Sequence, residues 1–197
     1  MMDTTTLATS VEQVIIARRT VKPTSMNGRK IPDETVQQLL QLADWAPTHG
    51  YTEPWYFVVY SGGKVQQFCT DHAELYKQFT PADKYIPGNY DKLKNQGNLA
   101  SHVLAICMKR GDNPKIPAIE EIAAVSCAVE NIWLGATALH LAAYWGSGGM
   151  TYHPAMQDYL GLGDEDLVLG FFYLGYTDEP AQPGRRTKPL SEKVTWK

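Results

Sequence analysis

Residues 46–60 read APTHGYTEPWYFVVY, with two prolines, a histidine, an acid and five aromatics in fifteen positions. The second half, residues 55–60, is an unbroken aromatic and β-branched run, the pattern of a buried strand. Pro47 stops the helix expected before it, and Pro54-Trp55 fixes the approach to the strand. Between the prolines lie a histidine, a tyrosine, two threonines and a glutamate, polar chemistry set directly against the core.

Helices and strands alternate outward from this stretch. A helix is expected over VEQVIIARR (11–19), capped by Ser10 with Gln13 in capping-box position. A second begins near PDETV (32–36) and carries Val36, Leu39, Leu40 and Ala43 on one face. After the strand and its SGG turn, KVQQFCTDHAELYKQF (64–79) reads as a third helix, with His72 as a structural or surface residue. The aromatic, polar stretch from Thr80 to Asn98 reads as a long excursion, with Tyr85, Ile86 and Tyr90 as a candidate pocket wall. HVLAICM (102–108) reads as a second strand. A long apolar helix is then expected through IAAVSCAVENIWLGATALHLAAYW (122–145), stopped by Gly146, Gly148 and Gly149. A short helix opened by Pro154 and a third strand in DLVLGFFYLGY (166–176) precede a polar, proline-bearing tail. Strands separated by helices give an α/β or α+β layered architecture in one domain, residues 1–197.

The 197 residues carry a net charge of −3, which argues against a general nucleic-acid binder. Hydrophobic residues make up 44%, enough for a packed interior. Cys69, Cys107 and Cys127 are widely spaced with no C-x-x-C, the usage of reduced thiols in a cytoplasmic protein. MMDTTTLATS has neither a basic nor an apolar signal region, so a cytoplasmic location is expected. Glu130, Asn131 and His140 interrupt the one stretch long enough to span a bilayer, making it a buried helix. A helix apolar on nearly every side must be covered on nearly every side, so a homodimer through it is expected.

Several familiar sites are missing. There is no G-x-S-x-G elbow, no Walker A loop and no G-x-G-x-x-G after a strand. The five histidines lack metal-ligand spacing, so no metal and no catalytic side chain is expected, and a bound cofactor would carry the chemistry. What remains is suited to anions and to stacking. ARRT offers Arg18, Arg19 and Thr20 at a helix C-terminus, where cations also complement the dipole. PGRRTKP offers Arg185, Arg186 and Lys188, and two such clusters can converge on a phosphate. YWGSGG offers backbone N–H groups beside aromatics.

The ordered set ARRT, APTHGYTEPWYFVV, SCAVENIWLGATALHLAAYWGSGG and FFYLGY resembles the FMN-dependent nitroreductase family, closest to its small members with A-P-x-H and P-W before the first core strand. The resemblance implies an α+β fold, a mixed central sheet flanked by helices, in an intertwined homodimer with FMN at the subunit interface. It implies that Arg18, Arg19 and Thr20 serve the FMN phosphate and ribityl side. His49, with Tyr51 and Glu53 nearby, would reach the FMN of the other subunit. Trp145, Gly146, Ser147 and Gly148 would line the flavin, with Arg185, Arg186 or Lys188 adding phosphate contacts. The chain departs from the family pattern in two places. Thr52 and Glu53 stand where many members have Asn or Ser and then Gln, and Trp45, grouped with the cofactor residues, stands where small relatives can carry an arginine. A carboxylate near a flavin lowers its reduction potential. The implied activity is ping-pong transfer from NADH or NADPH through FMN to a nitroaromatic, quinone or related acceptor. A flavin-binding carrier or sensor without turnover, or a dehalogenating or flavin-fragmenting enzyme of the same fold, would use the same features.

Overall fold

The computed structural model describes residues 4–197. Four strands, β1 (Trp55–Ser61), β2 (His102–Met108), β3 (Ala142–Gly146) and β4 (Leu167–Gly175), form one sheet in the order β1-β2-β4-β3. Six helices flank it: α1 (Thr4–Ala17), α2 (Asp33–Ala43), α3 (Gly63–Phe79), α4 (Pro87–Asn95), α5 (Ala118–Ala138) and α6 (Pro154–Tyr159).

The alternation of side chains along the central strands divides the core in two. Val103, Ala105, Cys107, Phe171 and Tyr173 face α3, α4 and α6, packing with Phe68, Cys69, Tyr76, Leu93 and Met156. Leu104, Ile106, Met108, Phe172 and Leu174 face α2 and α5, packing with Leu39, Val129, Ile132 and Trp133. Every residue of β2 is buried, which is why VLAICM runs apolar without alternation, and its one polar side chain, His102, is bonded to Asp33 and Ser101. Each fully buried Leu, Ile or Phe of these layers contributes about 1.5–3 kcal/mol.

Three expectations change. The helix expected through Trp145 ends at Ala138, and the chain returns as β3, a fourth strand. The stop is a Schellman motif: His140 N–H donates to Thr137 O and Leu141 N–H to Ala136 O, with His140 at φ 55° in the position glycine usually takes. Ser10 does not cap a helix; it lies within α1, and its hydroxyl donates to Thr6 O. The excursion from Thr80 to Asn98 contains α4, opened by Pro87. The sheet matches the α+β class, but all three pairings are antiparallel, so the parallel pair of a mixed sheet does not occur among the described residues.

The two sheet edges differ. Along β3, Val21 N–H donates to Ala143 O at 2.9 Å, so the segment after ARRT covers that edge. No other strand pairs with the outer edge of β1 among the described residues. α1 has no buried residue, leaving Leu7, Val11, Ile15 and Ile16 each at least half exposed. No helix is long and apolar enough to cross a membrane among the described residues.

Candidate active site

Two open spaces lie along β3. The first is a cavity of about 330 Å³ between β3, β4, α3 and α4. Tyr144, Gly146 and Gly148 line it from β3 and the loop that follows, Lys92 from α4, Gln96 from the residue that ends it, and His72 from α3. Lys92 and Gln96 are four residues apart and share one helical face. The second is a groove of about 760 Å³ between α1, the end of α5 and the first residues of the tail, with Arg19, Thr20, Lys22 and Ala142 in its walls. Ala142 and Tyr144 share one face of the strand, about 7 Å apart at the ordinary rise.

The loop after β3 is built for close backbone approach. Gly149 has φ +65°, and a Cβ there would lie 2.5 Å from His72 Nε2 and 2.8 Å from Leu93. The next residue, Met150, donates its N–H to His72 Nε2 at 2.9 Å. Thr151 Oγ1 closes the turn by donating to Gly148 O at 2.7 Å. Among the described residues, the N–H groups of Gly148 and Gly149 donate to no protein acceptor. His72 is 2% exposed between Phe68 and Phe171, and burial pushes its pKa down to about 4. It is therefore neutral, with Nε2 as the acceptor and the proton on Nδ1.

The sequence-derived residues fall into four groups. Gly146 and Gly148 line the cavity, and the exposed Ser147 lies between them. Trp145 does not face the cavity: strand alternation turns it to the α5 side, where its Nε1–H donates to Leu169 O at 3.2 Å. Tyr144 supplies the aromatic wall instead. At the end of α1, Arg18 lies 4.5 Å over the Trp133 ring and 3.7 Å from Glu130. Arg19 donates to Ile16 O and Arg18 O, tying down the helix end, and to Gln182 O at 2.6 Å, tying the tail to it. Carbonyls thus already engage Arg19, whereas Thr20 is exposed in the groove.

The third group is the turn His49–Glu53. His49 Nδ1 lies 2.5 Å from Glu120 Oε2, and Thr52 packs on Gly111. Tyr51 and Glu53 hold φ of 57° and 43°, conformations that cost about 1–3 kcal/mol each. Tyr51 is 90% exposed and Trp45 85% exposed, so neither is held against its own chain. The fourth group, Arg185, Arg186 and Lys188, is exposed in the tail. Among the described residues these three cations, Lys22 and Lys92 form no ion pair.

Glu120 and Trp133 are thirteen residues apart on α5, so His49 and Arg18 sit about 20 Å from each other along its axis. One chain does not bring them to one ligand.

Residues 15–176 match the model of the nitroreductase family. The chain belongs to that family. Membership makes it an FMN-dependent oxidoreductase, the class that the four motifs imply. YdjA of Escherichia coli K12, provisionally named an NAD(P)H nitroreductase, is 29% identical over 142 residues, 72% of this chain and 75% of its own. The solved nitroreductase-like protein from Bacillus cereus superposes with a TM-score of 0.81 at 25% identity, covering 94% of this chain and 95% of that one. The FMN-dependent nitroreductase NfnB from Mycobacterium smegmatis, solved with NADPH, has the same fold (TM-score 0.72, 20% identity, covering 97% of this chain and 99% of that one).

Lys22, Lys92, Gln96 and Tyr144, which line the two spaces, are not singled out by the sequence, and His72 reads there as a structural or surface residue. Lys22 stands two residues beyond ARRT and was legible as part of that cationic run. The excursion was expected to wall a pocket through Tyr85, Ile86 and Tyr90, but Lys92 and Gln96 line the cavity instead, a spacing hidden because the excursion did not read as a helix.

Proposed function

We propose that the chain forms a homodimer with two FMN sites, each built from both subunits, and passes electrons from NADH or NADPH to a nitroaromatic, quinone or related acceptor. The observation carrying this reading is the separation of His49 from Arg18 along α5, which a second subunit resolves. The bare α1 surface, the open edge of β1 and the exposed tail support an intertwined arrangement. A tail from the partner alongside β1 would also supply the parallel pair that makes the sheet mixed.

The residues present fit FMN. The cavity offers an aromatic wall in Tyr144, glycines without side chains at 146 and 148, and free backbone N–H groups. The groove beside it offers Thr20 and Lys22, with Arg18 close by at the end of α1. We assign Arg18, Thr20 and Lys22 to the phosphate and ribityl side, with Arg19 holding the loop, and Arg185, Arg186 or Lys188 completing the charge. Gly146, Ser147 and Gly148 line the ring. His49, Tyr51 and Glu53, with Trp45 beside them, come from the partner.

When bound, FMN supplies two-electron exchange, taking hydride from the nicotinamide in one half-reaction and giving it to the acceptor in the next at the same site. The protein orients both reactants and keeps water from the cavity. No side chain need bond covalently to substrate. The whole of residues 1–197 is assigned to one FMN-binding domain. The three unpaired thiols suit a reducing compartment, and the cytoplasm is the location proposed.

The test is anaerobic. Purified protein should be yellow, bleach with NADH or NADPH, and regain colour with a nitroarene or quinone. Colourless protein that takes up no FMN would overturn the assignment; yellow protein that neither nicotinamide bleaches would make it a binder without turnover.

A further inference from the structure

The buried histidine of α3 has no part in the electron transfer described, yet it is built into the loop that follows β3. His72 accepts the Met150 N–H at 2.9 Å. Gly149 passes so close that any side chain there would strike the ring. Phe68 and Phe171 hold the imidazole from two sides, with ring centres 5.8 and 5.1 Å away. The loop therefore has one acceptor for its buried donor, and a lone glycine permits the approach.

We infer that His72 is a positioning residue: by holding Met150 N–H it fixes the backbone of Gly146–Thr151 as the wall of the flavin cavity. This rests on the reading of that cavity as the flavin site. The unpaired N–H groups of Gly148 and Gly149 are the loop's available donors to a ligand, and their directions follow from where Met150 is tied. Thr151, fully buried and bonded to Gly148 O, carries the constraint back across the turn. If the tie is cut, the loop must find another partner for a buried N–H or swing outward, and the wall is lost.

The experiment compares four proteins by FMN titration, following flavin fluorescence, and by the midpoint potential of the bound flavin. Wild type is measured first; failure to bind FMN would overturn the cavity assignment, not the role of His72. His72→Leu keeps an apolar filler without an acceptor, and should weaken FMN binding roughly tenfold and move the potential. His72→Gln offers Oε1 where Nε2 stood, and should restore both to within about threefold of wild-type affinity. Gly149→Ala, which keeps His72 but pushes the loop from it, should resemble His72→Leu. Thermal unfolding identifies a variant that has not folded, and Gly149→Ala keeps the question answerable if His72→Leu is such a case. Wild-type affinity and potential in a folded His72→Leu or Gly149→Ala would overturn the inference. So would equal losses in His72→Leu and His72→Gln, since ring shape and not the acceptor would then matter.

Discussion

The Arg18 guanidinium lies over the face of Trp133, 4.5 Å from the ring centre, while His49 meets the same helix thirteen residues earlier, at Glu120. If both serve FMN, each must serve a different one within its own chain. Arg18→Ala and His49→Ala should each impair both sites of a homodimer. Co-expressed, they form mixed dimers in which one site carries both changes and the other neither. Random pairing makes half the dimers mixed, so about a quarter of all sites should regain wild-type FMN affinity and turnover. No recovery above the separate variants would mean that the sites are not shared.

Arg18→Ala alone should weaken FMN binding by about 1.5–3 kcal/mol, as loss of a charge-assisted contact does. Flavin fluorescence titration reads this directly. Unchanged affinity would assign Arg18 to its contacts with Trp133 and Glu130.

Glu53 is exposed and free of ion pairs among the described residues, in a strained turn. Set against the partner's flavin, its charge opposes added electrons. Glu53→Gln should raise the midpoint potential by roughly 20 mV, the scale of one exposed charge acting on a two-electron couple. Dye-equilibration potentiometry is the measurement, and an unchanged potential would remove Glu53 from the flavin's surroundings.

Burial lowers the His72 pKa from 6.5 to about 4, so the unfolded chain takes up the proton first as pH falls. This contribution to stability is complete above pH 6.5 and is lost progressively as pH falls toward 4. Lys92 is the charged residue lining the same cavity, and no carboxylate lines it. Urea unfolding should show wild type losing about 2 kcal/mol more than His72→Gln between pH 7 and 4.5. Parallel profiles would mean that the histidine protonates in place.

Arg110 donates to the carboxylate of Glu121, which is 1% exposed and also accepts Gly111 N–H. Arg110→Met leaves that charge buried and half satisfied, and should cost about 3 kcal/mol of unfolding free energy. The doubly changed Arg110→Met/Glu121→Leu protein should recover part of the loss. Because Thr52 packs on Gly111, the single change should also loosen the His49 turn.

Much of the frame was legible because burial on both faces leaves β2 no polar position after His102, and Val36, Leu39 and Ala43 give α2 one apolar side. The boundary of α5 was not. His140 takes a left-handed conformation that glycine usually advertises, so the helix seemed to run on to Gly146 and a strand was hidden inside it. That slip also set Trp145 on the cavity, when strand alternation gives the place to Tyr144. The cationic clusters were found as residue types, but not which of them are already engaged: the bond of Arg19 to Gln182, 163 residues on, is a tertiary fact. His72 was read as structural, and only the fold reveals what it supports.

The outer edge of β1 bears on handling the protein as well as on its assembly. An unpaired strand is a template for any extended chain, and β1 carries Tyr56 and Val59 exposed beside it. If the partner's tail covers that edge, as proposed, dilution that separates subunits, or removal of the last fifteen or so residues, would present it to other copies, and the visible symptom would be turbidity before any loss of colour. Storage concentration and an intact C-terminus then become conditions for a clear solution.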